Sequence, residues 1–299
     1  MDETRLSLTP QMQAQLNRLK DIAVEAGRRR FVFLLVGRTG VGKSSTVNTL
    51  MGQEVAPVGH FEPTTMSVER FKSVLHGINY AVVDTPGLCD DLPEAGNDDR
   101  YLDEIRDEVS KLDCLWYVTR LDETRITGDE KRGIKLITQA LGKEVWKRAI
   151  IVFTYAGNVK AAEYETRLAE RARLVREEIG KATEHAIRSI PHVAVDNTSP
   201  TTPDGKPWLG NLYVQVLKRL NKAGALPFLL ATAEDIRPKE GRAARIQLSA
   251  EQKAEVKEET RGYITELVTV GAGVGFEIGG PLGAAVGGAL GALIGWLFE

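Results

Sequence analysis

The chain has 299 residues, 42% of them hydrophobic and 27% charged, a balance that supports a sizeable buried interior and excludes both wholesale disorder and a polytopic membrane protein. Its 39 basic and 41 acidic side chains leave a formal charge of −2, which excludes the electrostatic footprint of non-specific nucleic-acid binding. Cys89 and Cys114 lie far apart and without a neighbouring His cluster, so neither a disulfide framework nor a zinc site is encoded, and a reducing compartment is favoured.

Met1-Asp2-Glu3 is acidic with no apolar run behind it, which predicts neither a secretory nor a transit leader. Residues 1–27 are expected to hold a helix with Thr9 as N-cap, Pro10 at its first position and Met12, Leu16, Leu19 and Ala23 on one stripe. From Phe31 to Val36 the pattern becomes a continuous apolar run, as in a strand buried on both faces. Similar runs at Ile78 to Val83, Leu115 to Thr119, Ala149 to Thr154 and Pro191 to Val195 alternate with helical stretches, and Ser67 to Leu75 adds an edge strand joined to the next by His76-Gly77. Residues 28–222 therefore read as an α/β domain with a mostly parallel six-stranded sheet flanked by helices and an antiparallel edge pair.

Directly after the first strand, Gly37, Arg38, Thr39, Gly40, Val41, Gly42, Lys43 and Ser44 fit G-x-x-x-x-G-K-[ST] at every fixed position, ahead of a helix starting near Lys43. Such a loop brings backbone N–H groups onto a β-phosphate at a helix N-terminus, Lys43 adds a point charge between β and γ, and the Ser44 hydroxyl is offered to Mg²⁺; Ser45 follows in the same first turn. Asp84-Thr85-Pro86-Gly87 ends the third strand, where an acid reaches Mg²⁺ through water and the Gly87 N–H senses a γ-phosphate. Between these motifs Thr65, with Thr64 close behind, is where a switch threonine would cap Mg²⁺ and γ-phosphate; two threonines opening a strand is the other reading.

The base-reading end departs from the usual [NT]-K-x-D string: Thr154-Tyr155-Ala156-Gly157 lacks the acid. Asp196 and Asn197, after the last strand, are expected to supply the carboxylate and a further base contact, unless they only form an Asx-rich turn.

The strings Gly40 to Asn48, Asp84 to Leu88 and Asp113-Cys114-Leu115-Trp116-Tyr117-Val118-Thr119-Arg120-Leu121-Asp122-Glu123-Thr124-Arg125 resemble the GTPase receptors of the chloroplast outer-envelope protein import (TOC) machinery. More distantly they resemble the AIG-type immunity-associated GTPases. The resemblance runs over about residues 28 to 222 and implies a guanine nucleotide, GTP or GDP, with Mg²⁺. It implies base recognition by the later loop, with Tyr155 standing where those receptors have a histidine. It also implies a homodimer across the nucleotide face, in which Arg125 enters the partner's site. Leu88 replaces the water-orienting glutamine of small signalling GTPases, which predicts slow hydrolysis by the chain alone.

Residues 223–262 read as a charged linker and helix, with a capping box at Ser249-Ala250-Glu251-Gln252. In residues 263–299 polarity falls away and Gly271, Gly275, Gly279, Gly283, Gly287, Gly291 and Gly295 recur every four residues, a glycine-zipper arrangement. The uncharged stretch from Ile278 to Phe298 is about 31 Å long as a helix, near the thickness of a bilayer core. Two readings stay open: a membrane-associated helical tail, with a break near Gly279-Gly280-Pro281, and a glycine-rich pair docked on soluble protein and leaving the chain cytoplasmic. Lys253, Lys257 and Arg261 before the tail place the nucleotide domain on the cytosolic side in the first. The functions expected are a membrane-tethered, dimerising switch or receptor with a protein partner not named by the sequence, an effector whose tail inserts on activation, or a scaffold with negligible turnover.

Overall fold

In the computed structural model the described residues are 30–56, 69–75, 78–84, 106, 112–183, 190–220, 243–259 and isolated positions between 225 and 236. The predicted N-terminal helix, Thr64, Thr65, Gly87 and the glycine-zipper tail lie outside them. Among the described residues no helix is long and apolar enough to cross a membrane.

The described residues fall into two compact units, one within Arg30–Ser73 and Asn79–Arg219 and the other made of the described residues outside those ranges. The first holds most of a six-stranded sheet whose strands are β1 (Arg30–Val36), β2 (Glu69–Leu75), β3 (Ile78–Asp84), β4 (Cys114–Arg120), β5 (Ala149–Thr154) and β6 (His192–Ala194). Their order is β2-β3-β1-β4-β5-β6. The pairs β1/β3, β1/β4, β4/β5 and β5/β6 are parallel, and Phe33 is in register with both Val82 and Cys114. A link of two residues between β2 and β3 leaves no room for a crossover, so that edge pair is antiparallel. The predicted mostly parallel α/β sheet is thus the one observed, with strand ends shifted by a residue or two.

Among the described residues four helices flank it: α1 (Lys43–Met51), α2 (Gly128–Leu141), α3 (Ala161–Thr183) and α4 (Trp208–Arg219), with a 3₁₀ turn at Lys143–Arg148. The apolar runs read from sequence are buried on both faces because helices cover both sides. Val32, Leu34, Tyr117, Ile151 and Phe153 form one layer with Ile134 and Ile137 of α2 and Val175 and Ile179 of α3. On the opposite side Phe33 and Trp116 meet with ring centroids 5.9 Å apart, and α4 packs on β5, β6 and α1. Helix α2 starts at a full capping box: Thr127 Oγ1 accepts from Glu130 N at 3.2 Å, and Glu130 Oε2 accepts from Thr127 N at 2.8 Å.

In the second unit the predicted box at Ser249 is formed, with Gln252 N donating to Ser249 Oγ at 3.2 Å and Ser249 N donating to Gln252 Oε1 at 2.9 Å, and residues 250–259 are helical. Arg245 pairs with Asp235 at 2.7 Å in the same unit.

Candidate nucleotide site

Strand β1 delivers the chain into the glycine loop between two neighbours. A Cβ on Gly37 would lie 2.1 Å from the Val118 carbonyl oxygen of β4, so only glycine passes there. Gly42 then turns the chain into α1 as its N-cap with φ 89°, a left-handed backbone that costs glycine little. Helix α1 has no capping side chain at this start and no acid in its first turn, so its own side chains do not offset the positive end of its dipole. Lys43 is buried, and its ammonium reaches across the loop to donate to the carbonyls of Gly37 at 2.9 Å and Arg38 at 3.2 Å. A glycine loop wrapped around a lysine ammonium at the start of α1 suits a phosphate chain; Thr39 and Val41 lie in that loop, and Ser44 and Ser45 in the first turn of the helix. Of the predicted Mg²⁺ residues, Ser44 is the second residue of α1 and Asp84 ends β3; Thr65 lies outside the described residues.

Two further loops close on this one. Thr154, at the end of β5 and fully buried, donates from Oγ1 to the Val41 carbonyl at 2.6 Å and lies 3.2 Å from the Thr119 carbonyl. Asn197 shares hydrogen bonds with Thr46 of α1, its amide nitrogen 3.0 Å from Thr46 Oγ1, and lies 3.5 Å from the Gly42 carbonyl. The side chain predicted as a base contact is therefore engaged with the start of α1.

Tyr155 adopts φ 55° and its hydroxyl donates to the Gly40 carbonyl at 2.9 Å. The Arg120 guanidinium stacks 4.0 Å from the centroid of its ring, and Asp122 holds that guanidinium through two hydrogen bonds of 2.7 and 2.9 Å. The bond from Arg120 keeps the Asp122 carboxyl below its ordinary range, and Asn158 donates to the same group at 2.8 Å. Tyr155 is thus clamped between the phosphate loop and a cation.

Asp196 is buried at the end of β6. Its Oδ1 accepts from Thr198 N at 2.9 Å and Thr198 Oγ1 at 2.7 Å, an Asx turn, while Oδ2 sits where a Cβ on Gly157 would fall, 2.2 Å from that position. The missing acid of the β5 loop and the carboxylate of the β6 loop thus occupy one space.

Arg125 has an exposed side chain and a fixed backbone, since its carbonyl accepts from Arg171 at 2.9 Å. Arg171 is fully buried in α3 and also donates to Glu130 at 2.8 Å and Thr119 Oγ1 at 3.0 Å, with a short bond between Thr119 and Glu130. Thr46, Thr119 and Arg171 have no sequence signal as site residues. For Glu130 the capping-box spacing from Thr127 was the readable clue.

The AIG1 family model matches residues 31–187. Translocase of chloroplast 101 of Physcomitrium patens is 30% identical over 226 residues, which is 69% of this chain but 24% of the relative, so the chain spans about a quarter of that protein's length. Toc33 of Arabidopsis thaliana in complex with GDP and Mg²⁺ is 26% identical with a TM-score of 0.52, covering 77% of this chain and 94% of that one. Its dimerisation-deficient arginine-to-alanine variant matches at 25% identity and a TM-score of 0.55, over 76% of this chain and 94% of that one. A further structure, at 25% identity and a TM-score of 0.54 over 80% of this chain and 94% of that one, carries the statement that dimerisation is important for the GTPase activity of the chloroplast translocon components Toc33 and Toc159.

Proposed function

Since this chain belongs to the AIG1 family, we propose that it is a GTP-binding protein with slow GTP hydrolysis, working as a dimerising switch or receptor tethered to a membrane. The observation that carries the reading is the convergence of three loops: the phosphate loop is tied to the β5 loop by Thr154 and to the β6 loop by Asn197. One ligand that ordered any of them would be felt by all three.

Within this reading Lys43 releases the carbonyls of Gly37 and Arg38 and turns its charge to the phosphates, while the backbone of Gly40 to Ser44 cradles them at the start of α1. Bound through Ser44, Thr65 and Asp84, Mg²⁺ would offset charge on the phosphate oxygens. Asp196 reads guanine from the side that Gly157 leaves open, and Tyr155 walls the base. Gly87 senses the γ-phosphate. With Leu88 in place of a water-orienting glutamine, turnover alone is slow, and Arg125 of a second copy supplies charge in trans from its exposed place. The dimerisation-deficient arginine-to-alanine variant of Toc33, and the importance of dimerisation for the GTPase activity of Toc33 and Toc159, support this part of the reading.

Affinities for GTP, ATP and XTP, measured for the wild type and Asp196→Asn, test the nucleotide. Loss of guanine preference with gain of xanthine is expected, and an unchanged preference would remove Asp196 from the base. Light scattering of the chain loaded with a GTP analogue tests the dimer. A monomer at high concentration would sink it. Membrane tethering through residues 263–299, with the nucleotide domain on the cytosolic side, is tested by carbonate extraction of membranes: release of the full chain, with no difference from a chain ending at Gly262, would dismiss it.

A further inference from the structure

The segment that carries Arg125 is held from two sides through one acid. Glu123 forms an ion pair with Arg38 of the phosphate loop, and its other carboxylate oxygen lies 3.9 Å from the guanidinium of Arg171. Arg171 in turn donates to the Arg125 carbonyl at 2.9 Å. Charge contacts therefore run without a gap from the phosphate loop through Glu123 to the backbone of the proposed partner-facing residue. Asp129, at the start of α2, lies 4.0 Å from Arg38 as an outer contact.

Glu123 is the unusual member of this chain of contacts. Its Oε2 is buried and has no hydrogen-bond partner among the described residues, although it faces Arg171. A carboxylate oxygen left so is costly, and two cations hold it there in place of full hydrogen bonding. Nothing in the cap of α2 needs Glu123, since Thr127 and Glu130 complete that cap between themselves. Among the described residues, Glu123 is the side chain that meets both the phosphate loop and Arg171.

We propose that Glu123 is a positioning residue, coupling order in the phosphate loop to the placement of residues 121–127. A diphosphate that settles the loop fixes Arg38 at its base. Arg38 fixes Glu123, and the Arg125 carbonyl is already fixed by Arg171, so the intervening backbone has both ends restrained. The consequence for Arg125 in trans rests on the dimer reading above; the coupling itself does not.

The test is hydrogen exchange of the full chain with and without GDP and Mg²⁺, in the wild type and in Glu123→Gln, which keeps shape and removes charge. In the wild type GDP should slow exchange both in residues 37–44 and in residues 121–127. In Glu123→Gln the protection of 37–44 should persist while that of 121–127 falls by about fivefold, the upper end of what one partly exposed ion pair contributes. Glu123→Asp, which keeps the charge facing Arg38 and Arg171, should retain more of the 121–127 protection than Glu123→Gln at saturating GDP, which a merely structural role for Glu123 would not give. Equal protection of 121–127 in wild type and Glu123→Gln overturns the proposal, as does loss of protection in both segments together. GTP hydrolysis against protein concentration is read in parallel. A wild type whose specific rate does not rise with concentration defeats the dimer and leaves the exchange result standing. A wild type in which GDP protects neither segment defeats both.

Discussion

Asp196 and Gly157 fill a single space: Oδ2 of the carboxylate lies 2.2 Å from where a Cβ on the glycine would stand, and the carboxyl carbon 3.2 Å from it. The other oxygen is committed to the Asx turn with Thr198, so the carboxylate has no slack to move aside. Gly157→Ala is therefore expected to push Asp196 out of its turn. Guanine affinity should fall about tenfold or more while the melting temperature shifts only by the equivalent of about 1–2 kcal/mol of overpacking. Fluorescence titration with GTP and XTP beside thermal melts checks this. A stability loss with unaltered guanine preference would take the base-reading role away from this pair.

Arg171 and Glu130 form an ion pair with both side chains almost wholly buried, at 1% and 3% exposure, which decides how their removal behaves. Truncating one partner strands the other's charge, and such losses run to about 3–5 kcal/mol. Arg171→Met should cost that much by urea unfolding, and Arg171→Met with Glu130→Gln should recover part of it. The recovery is the informative arm, since Glu130→Gln leaves a side-chain oxygen for the Thr127 amide. A double variant no more stable than the single one would mean that packing, not stranded charge, sets the cost.

The parts of this molecule that sequence shows best are those governed by local rules. The strand runs are unbroken because helices cover both faces of the sheet, and the phosphate loop is legible because its glycines answer contacts made within a few residues or with the next strand, as Gly37 does with Val118. Asp196 is legible as a candidate because the β5 loop carries Gly157 where an acid is usual, and the structure sets its carboxylate beside that glycine. Arg171 is not legible: its partners Thr119, Glu130 and the Arg125 carbonyl are 52, 41 and 46 residues away, and an arginine in a helix rich in Glu and Arg reads as a solvated face. Asn197 was found as a loop residue but its bond to Thr46, 151 residues off, depends on where β6 ends relative to α1, which no periodicity encodes.

Thr154 stands where its hydroxyl donates to the Val41 carbonyl at 2.6 Å in the interior. Thr154→Val keeps the volume and leaves that carbonyl without this donor, a loss of about 1–2 kcal/mol in stability. The phosphate loop would be freed from β5 at the same time, so GDP affinity should drop by more than stability does when both are put in kcal/mol. Calorimetric titration with GDP and urea unfolding give the two numbers. An unchanged GDP affinity would mean that the loop holds its shape without β5.

His192 opens β6 with Nδ1 accepting from Arg176 at 2.7 Å and its ring edge-on to Phe153, 6.2 Å between centroids. Burial first, and then the Arg176 charge, push the imidazole down to about 4 from its ordinary 6.5. Between those two values the unfolded chain binds a proton that the folded chain refuses, so stability rises with pH across this window; it is full above 6.5 and is lost as pH falls towards 4. The shift corresponds to at most about 3 kcal/mol, and partial solvent access reduces that to about 1–2 kcal/mol. Asp122, whose carboxyl is held below its ordinary 3.8 by Arg120, loses its own contribution only below that, outside the histidine's window. Urea unfolding at pH 7 and at pH 4.5 should therefore show a drop in the wild type that is smaller in His192→Gln by that amount, since glutamine offers Arg176 an acceptor and takes up no proton. Identical drops in the two proteins would show that other groups set the acid sensitivity.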